Sequence, residues 1–174
     1  MNIGLLIIRL IVGLTLVAHG AQKLFGRLGG GGLAGTGEML EKMGLRPGKP
    51  YALLAGLTEA GGGLMLAAGL LTPVASAAII AVMAVAIEVA HASKGFFAHK
   101  GGWEYALVMA ASALGLAFTG PGAYSLDSLL GLTWDVRWGF RALIAGLVAD
   151  VVVLLARSLS QRFLEHGHTP QPQA

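Results

Sequence analysis

The chain has 174 residues, a length that suits one domain, but its composition is not that of a soluble protein. Hydrophobic residues make up 55% of the chain and charged residues only 12%, whereas a soluble domain carries roughly 25% charged residues. The composition predicts a membrane protein and excludes a soluble enzyme or a disordered chain. The chain has no cysteine, which also excludes a disulfide scaffold and thiolate redox chemistry. Its 12 lysines and arginines are scattered over short loops, so we predict no nucleic-acid partner.

Five apolar stretches follow one another along the chain, and a membrane helix needs about 20 such residues. They cover residues 3–20, 51–71, 74–91, 103–119 and 139–156. We therefore predict an all-α fold, a polytopic bundle of membrane helices. The fifth helix either spans the membrane or packs on the bundle in the interface. Small residues at 60–63 and 67–69 predict close packing of the second helix.

The rest of the chain divides into one long loop and a tail. We predict a bundle over residues 1–132 with a loop at 22–50, an additional helix within 133–157, and a polar, disordered tail over 158–174. Within the loop, Thr36 is predicted to cap a short amphipathic helix that ends at Gly44. Met39, Leu40 and Met43 form the apolar face of that helix.

The basic residues predict the orientation of the bundle. With five spans, the loop at 22–50, the connection between the third and fourth helices and the tail share one side, which carries most of the basic residues. Only Arg137 and Arg141 lie on the other side. The excess of positive charge predicts that the loop at 22–50 is cytoplasmic. With four spans, the tail would lie on the opposite side from this loop.

Ionisable residues inside membrane helices are functional candidates, because each costs a few kcal/mol to insert. Most of those in this chain lie toward the side of the bundle that carries the long loop. They form a candidate polar pocket, for which we predict Arg9, His19, Gln22, Lys23, Glu59, His91 and Glu104. The simplest interpretation of Arg9 and Glu59 is a buried ion pair that fixes helix packing.

Two other patterns are assigned structural roles. Glu88 and His91 share one helix face, but a di-iron site needs a second such pair on a facing helix, so we predict no metal site. The aromatic residues near helix ends are predicted to belong to the belts at the membrane interface. They are Trp103, Tyr105, Trp134 and Trp138.

Four motifs in order along the chain resemble the DoxX family. HGAQKLFG at residues 19–26 resembles the family signature H-G-x-Q-K-x-F-G, and EAGGG at 59–63 with GLLT at 69–72 resembles its second helix. His91 with GFF at 95–97 and GGWEY at 101–105 resembles the junction of the third and fourth helices. GPG at 120–122 with SLD at 125–127 resembles the close of the domain, and Arg9 fits the arginine of the first helix.

The resemblance implies a four-helix membrane bundle in a bacterial inner membrane, here extended by a fifth, C-terminal helix. For some relatives it implies a role in redox or sulfur metabolism. One relative type is the small membrane subunit of thiosulfate:quinone oxidoreductase, and others belong to oxidative-stress complexes. We predict no intrinsic cofactor, with quinone as the candidate ligand, and leave the catalytic residues unassigned.

The leading hypothesis is an accessory subunit of a membrane redox, sulfur or oxidative-stress assembly whose polar pocket takes a quinone headgroup or a small anion. Such a subunit is not expected to be catalytic alone, since the chain lacks an electron carrier of its own. Its expected partners are the lipid bilayer and other proteins of a membrane complex, and a homo-oligomer is a further possibility. The alternatives are a non-catalytic anchor for soluble enzymes, a small-solute or lipid transporter, and a membrane isomerase that uses paired carboxylates.

Overall fold

The computed structural model describes residues 2–166, which fold almost entirely into helices. The long helices are α1 (Asn2–Phe25), α3 (Gly48–Ala68), α4 (Thr72–Ala86), α5 (Glu104–Thr119) and α7 (Val136–His166). Two short helices, α2 (Gly32–Lys42) and α6 (Leu126–Leu129), lie between them. A π-helical turn, Ile87–His91, continues α4, and the 3-10 turns Ala92–Lys94 and Ala98–Lys100 follow it. The predicted all-α fold is confirmed.

Within the described residues, four helices are long and apolar enough to cross a membrane by length and composition. They are α1, α3, α4 with its terminal turns (Thr72–Lys94), and α7 as far as Arg162. Helix α5 has 16 residues, a length of about 24 Å at 1.5 Å per residue. The helix predicted at 139–156 is thus present, and the helical membrane bundle is confirmed.

Helix α7 is longer than the sequence analysis predicted. It begins at Val136 and continues to His166, so residues 158–166 of the predicted disordered tail are helical. Two side chains of this extension bind the α2–α3 connection: Arg157 Nε donates to the Met43 carbonyl at 2.9 Å, and Ser160 Oγ donates to the Arg46 carbonyl at 3.0 Å. Ser160, a polar residue of the segment predicted to be disordered, therefore helps to hold the helix to the bundle. Residues 167–174 lie outside the described part of the chain.

Small residues bring α1 and α3 into close contact, as the glycines of the second stretch predicted. A Cβ atom added to Gly63 of α3 would lie 2.5 Å from the Gly13 carbonyl oxygen of α1. A Cβ atom on Gly20 of α1 would lie 2.6 Å from the Ala60 nitrogen of α3. Because these distances leave no room for a side chain, the two backbones pack directly on each other. Helix α4 then packs against α3, α5 and α7.

The turn between α3 and α4 is held by side chains from distant parts of the chain. Helix α3 ends at Gly69, which adopts the left-handed conformation with φ 65° and ψ 45°. The carboxylate of Asp127 then accepts the backbone N–H groups of Leu71 and Thr72 and so caps α4. We call this end of the bundle, with the start of α1 and residues 120–135, the Arg9 end. The opposite end is called the cavity end.

Helix α2 begins earlier than predicted. Thr36 does not cap it, because the helix already starts at Gly32 and Thr36 is buried within it. The glycine-rich segment before α2 forms a turn, with a hydrogen bond from Gly30 N to the Arg27 carbonyl at 3.0 Å, and this turn starts the helix one turn sooner. The predicted apolar face of α2 covers the cavity described next.

Candidate functional site

A cavity of about 570 Å³ opens at the cavity end of the bundle. Its walls come from α1, α2, α3, α4, the start of α5 and two residues of α7, Ala149 and Val153. Most of the lining is aliphatic, and Met39 and Leu40 of α2, with Met43 just after it, close one side. An apolar cavity with a few converging polar groups is the usual form of a small-molecule site.

Polar side chains line one part of this cavity and contact one another. Lys23 Nζ donates to Glu59 Oε2 at 2.5 Å, and the Glu59 residue is only 3% exposed. The His19 ring stacks on the Tyr105 ring with centroids 5.2 Å apart. The Tyr105 hydroxyl is buried and has no hydrogen-bond partner among the described residues. The cluster therefore holds one compensated charge pair beside a phenol group that can still donate or accept a hydrogen bond.

Both histidines of the cavity are oriented through Nδ1. His19 Nδ1 lies 3.0 Å from the Thr15 carbonyl oxygen, and His91 Nδ1 lies 2.7 Å from the Gly101 carbonyl oxygen. A carbonyl oxygen only accepts, so Nδ1 carries the hydrogen in each ring. In the neutral ring Nε2 is then an acceptor, and in the protonated ring it is a donor. Neither Nε2 has a hydrogen-bond partner among the residues whose side chains are described.

The structure brings together four of the seven predicted pocket residues: His19, Lys23, Glu59 and His91 all line the cavity. Gln22 and Glu104 lie at neighbouring helix ends but outside the lining. Gln22 Nε2 donates to the Leu28 carbonyl at 2.8 Å, and Glu104 Oε2 accepts the Ala98 N–H at 2.9 Å. Both side chains thus stabilise local backbone rather than the cavity.

Arg9 lies at the opposite end of the bundle, and the expected ion pair with Glu59 is not formed. The guanidinium is 1% exposed, and it donates to the Pro121 carbonyl at 2.8 Å and to the Tyr124 carbonyl. The α1 residue that packs at the level of Glu59 is Gly20, opposite Ala60. Arg9 is about 16 Å farther along α1 at 1.5 Å per residue, too far for its side chain to reach. Lys23 is the cation that pairs with Glu59 instead.

Sequence reasoning missed several residues of the cavity. Tyr105, assigned to an interfacial belt, faces the cavity, and Tyr51 and Thr58 of α3 also line it. One signal was available for Tyr105: it lies four residues before Met109, which belongs to the buried face of α5. Trp134 was also assigned to a belt, yet its indole Nε1 donates to Asp127 Oδ2 at 2.8 Å.

The described part of the chain holds no group of three or more His, Cys, Asp or Glu residues placed to bind a metal ion. Glu88, the neighbour of His91 in the π-helical turn, is exposed. The polar groups at this end are therefore imidazole, phenol, ammonium and carboxylate groups around an apolar cavity. These groups can bind a polar headgroup by hydrogen bonds and exchange protons with it.

The fold and the site together define the class of protein: a helical membrane bundle with an amphipathic cavity at one end. Residues 4–92 match the model of the DoxX family. The chain is also 30% identical over 133 residues to the inner membrane protein YqjF of Escherichia coli (strain K12), over 76% of this chain and 96% of that protein. The chain belongs to the DoxX family. No solved structure matches it.

The family match extends over α1 to α4 and includes the four predicted residues that line the cavity. Tyr105 and all of α7 lie beyond the matched residues. The cavity is therefore completed by helices outside the segment that matches the family model.

Proposed function

We propose that this protein is an accessory subunit of a redox assembly in the bacterial inner membrane, and that its cavity binds the headgroup of a membrane quinone. The make-up of the cavity carries the proposal: aliphatic walls surround one cluster formed by His19, Lys23, Glu59 and Tyr105. A quinone combines a ring bearing two oxygens with a long apolar tail, so it needs both kinds of surface. The name of the Escherichia coli relative supports the inner-membrane location.

The histidines suit a headgroup that changes between two redox forms. A neutral imidazole whose Nδ1 is bound to a carbonyl accepts a hydrogen bond at Nε2, which matches the hydroxyl of the reduced headgroup. A protonated imidazole donates there, which matches the carbonyl oxygen of the oxidised form. Reduction of a quinone takes up two electrons and two protons, and His19 and His91 are the proposed proton-exchanging groups. In this proposal the Tyr105 hydroxyl, which can both donate and accept a hydrogen bond, binds either form.

The electrons are assigned to a partner protein. The chain has no cysteine to ligate a cluster or to form a redox disulfide. In this proposal the protein supplies the quinone site and the membrane anchor, and the partner supplies the electron carrier. We therefore expect the protein alone to bind quinone without turning it over.

The test is native mass spectrometry of the protein extracted gently from its own membrane. We expect one quinone per chain in the wild type and its loss in His19→Ala. The matched control is His99→Ala, because His99 lies in an exposed 3-10 turn, with its ring 5.7 Å from the Phe97 ring and outside the cavity. In nanodiscs, Tyr105→Phe should weaken binding of a short-tailed hydroquinone about fivefold, the effect of one lost hydrogen bond of about 1 kcal/mol.

A wild-type protein that carries no quinone and binds none when a short-tailed quinone or hydroquinone is added would refute the proposal. Equal loss of ligand in His19→Ala and His99→Ala would place the ligand outside the cavity. A quinone-free protein that co-purifies with a soluble enzyme would favour the membrane-anchor alternative.

A further inference from the structure

Helix α7 carries a buried carboxyl group that the proposed quinone site does not use. Asp150 is only 4% exposed, and it lies midway along a candidate membrane span. Its Oδ1 atom is buried without a hydrogen-bond partner among the described residues. Its chain neighbour Ala149 lines the cavity, as does Val153 one turn further on, so Asp150 lies close behind this wall.

No cation compensates a negative charge at Asp150 among the residues whose side chains are described. The electrostatic neighbour of Asp150 is Glu88 of the π-helical turn, a group of the same sign. The two arginines of α7 nearest to Asp150 along the helix are engaged elsewhere: Arg141 lies over the Trp138 ring at 4.6 Å, and Arg157 donates to the Met43 carbonyl. They are about 14 Å and about 10 Å from Asp150 along the helix.

No hydrogen bond or ion pair in the described part of the chain joins Asp150 to the other titratable groups on the helices that pack against α7, and the cation among them, Lys94, is exposed in a 3-10 turn. Helix α4 with its terminal turns carries Glu88, His91 and Lys94, and α5 carries Glu104 and Tyr105. His91 binds the Gly101 carbonyl, and Glu104 binds the Ala98 N–H. A buried carboxylate without a counter-ion is disfavoured in a low-dielectric environment, and the like charge of Glu88 disfavours it further.

We infer that Asp150 is a proton-binding site, held as a neutral carboxylic acid, and that the charge at Glu88 affects its protonation. Asp150 is the group that holds the proton because it is buried, whereas Glu88 is exposed. The π-helical turn places Glu88 and cavity-lining His91 in one segment, and such turns are frequent at functional sites. The inference does not depend on a quinone in the cavity.

The test is solid-state NMR of the full-length protein in lipid bilayers with aspartate labelled at its carboxyl carbon. The chain has three aspartates, Asp127, Asp135 and Asp150, so three signals are expected. Asp127 accepts hydrogen bonds from four donors, and Asp135 pairs with Arg137, so both should show the chemical shift of a carboxylate. At neutral pH, Asp150 should show the shift of a protonated acid, and Asp150→Asn should remove that signal.

A charge reversal at Glu88 tests the coupling between the two carboxyl groups. Glu88→Lys replaces the negative charge that acts on Asp150 with a positive one, so the Asp150 signal should change from acid toward carboxylate at the same pH. Glu38→Lys is the matched control, because Glu38 is exposed on α2 and does not line the cavity, and it should leave the signal unchanged. An Asp150 carboxylate in the wild type would overturn the inference, whether a bound monovalent cation or water compensates it. An Asp150 signal that does not respond to Glu88→Lys would overturn the role of Glu88.

Discussion

Asp127 is the side chain with the most hydrogen bonds in the described structure, and its removal should strongly destabilise the bundle. Its carboxylate is fully buried. Oδ1 accepts the Leu71 N–H at 2.6 Å, and Oδ2 accepts the Thr72 N–H at 3.0 Å, the Thr72 hydroxyl at 2.7 Å and the Trp134 indole N–H at 2.8 Å. One side chain therefore joins residues 126–134, the start of α4 and the end of the α3–α4 turn.

The size of the effect follows from these four donors. A buried donor left without a partner costs about 1–3 kcal/mol. The two backbone N–H groups cannot turn away, whereas the Thr72 hydroxyl and the Trp134 indole can reorient in part. Asp127→Ala should therefore lower the free energy of unfolding by about 4 kcal/mol. Asp127→Asn keeps one acceptor oxygen but turns an NH₂ group toward a donor, so about 2 kcal/mol is expected.

The assay is unfolding of the detergent-solubilised protein by increasing amounts of SDS, followed by circular dichroism. Trp134→Phe removes a single donor and should cost about 1–2 kcal/mol, less than either change at Asp127. Asp135→Asn is the control, because Asp135 pairs with Arg137 on the exposed surface, where an ion pair contributes little to stability. An Asp127→Ala protein as stable as the Asp135→Asn protein would show that the four hydrogen bonds do not stabilise the bundle.

Three further changes test other parts of the fold. Gly63→Ala should force α1 and α3 apart and cost about 1–3 kcal/mol in the same assay, whereas Gly61→Ala, whose added Cβ meets nothing within 4 Å, should be neutral or slightly stabilising. Arg9→Met should lower the free energy of unfolding by about 1–3 kcal/mol, because two carbonyl oxygens lose a charged donor. An unchanged free energy of unfolding would show that water replaces the guanidinium as the donor to these carbonyls. The hydrogen bond from Arg137 lowers the pKa of Asp135, so Asp135 should titrate at a higher pH in Arg137→Gln, as followed by its labelled carboxyl signal.

The parts of the fold that the sequence predicted are those that depend on composition over long windows. The apolar stretches gave the long helices, and the glycines of α3 gave its close packing on α1, because each follows from a local pattern. Helix ends were less accurate. The end of α7 was missed because it depends on hydrogen bonds from Arg157 and Ser160 to the α2–α3 connection, which no local pattern reveals.

Four of the seven predicted pocket residues line the cavity, and their prediction depended only on how far along its helix each one lies. His19, Lys23, Glu59 and His91 lie at one end of the bundle because antiparallel helices bring the end of one helix beside the start of the next. The predicted ion pair of Arg9 with Glu59 was wrong, because the arginine side chain is much shorter than the distance between the two residues along the bundle. The guanidinium instead binds two backbone carbonyls of a loop that lies more than 100 residues away in the chain.

Both satisfied and unsatisfied polar groups are buried in this bundle. At the Arg9 end, the Asp127 carboxylate is surrounded by donors, and the Arg9 guanidinium binds two carbonyls, although its Nε has no partner among the described residues. The other buried side-chain atoms without a partner in that part of the chain are Ser76 Oγ, the Tyr105 hydroxyl and Asp150 Oδ1. The loss of a satisfied network such as that of Asp127 destabilises the fold, whereas the Tyr105 hydroxyl stabilises nothing by hydrogen bonding. Of these residues Tyr105 is the one that lines the cavity, so its substitution should change ligand binding more than stability.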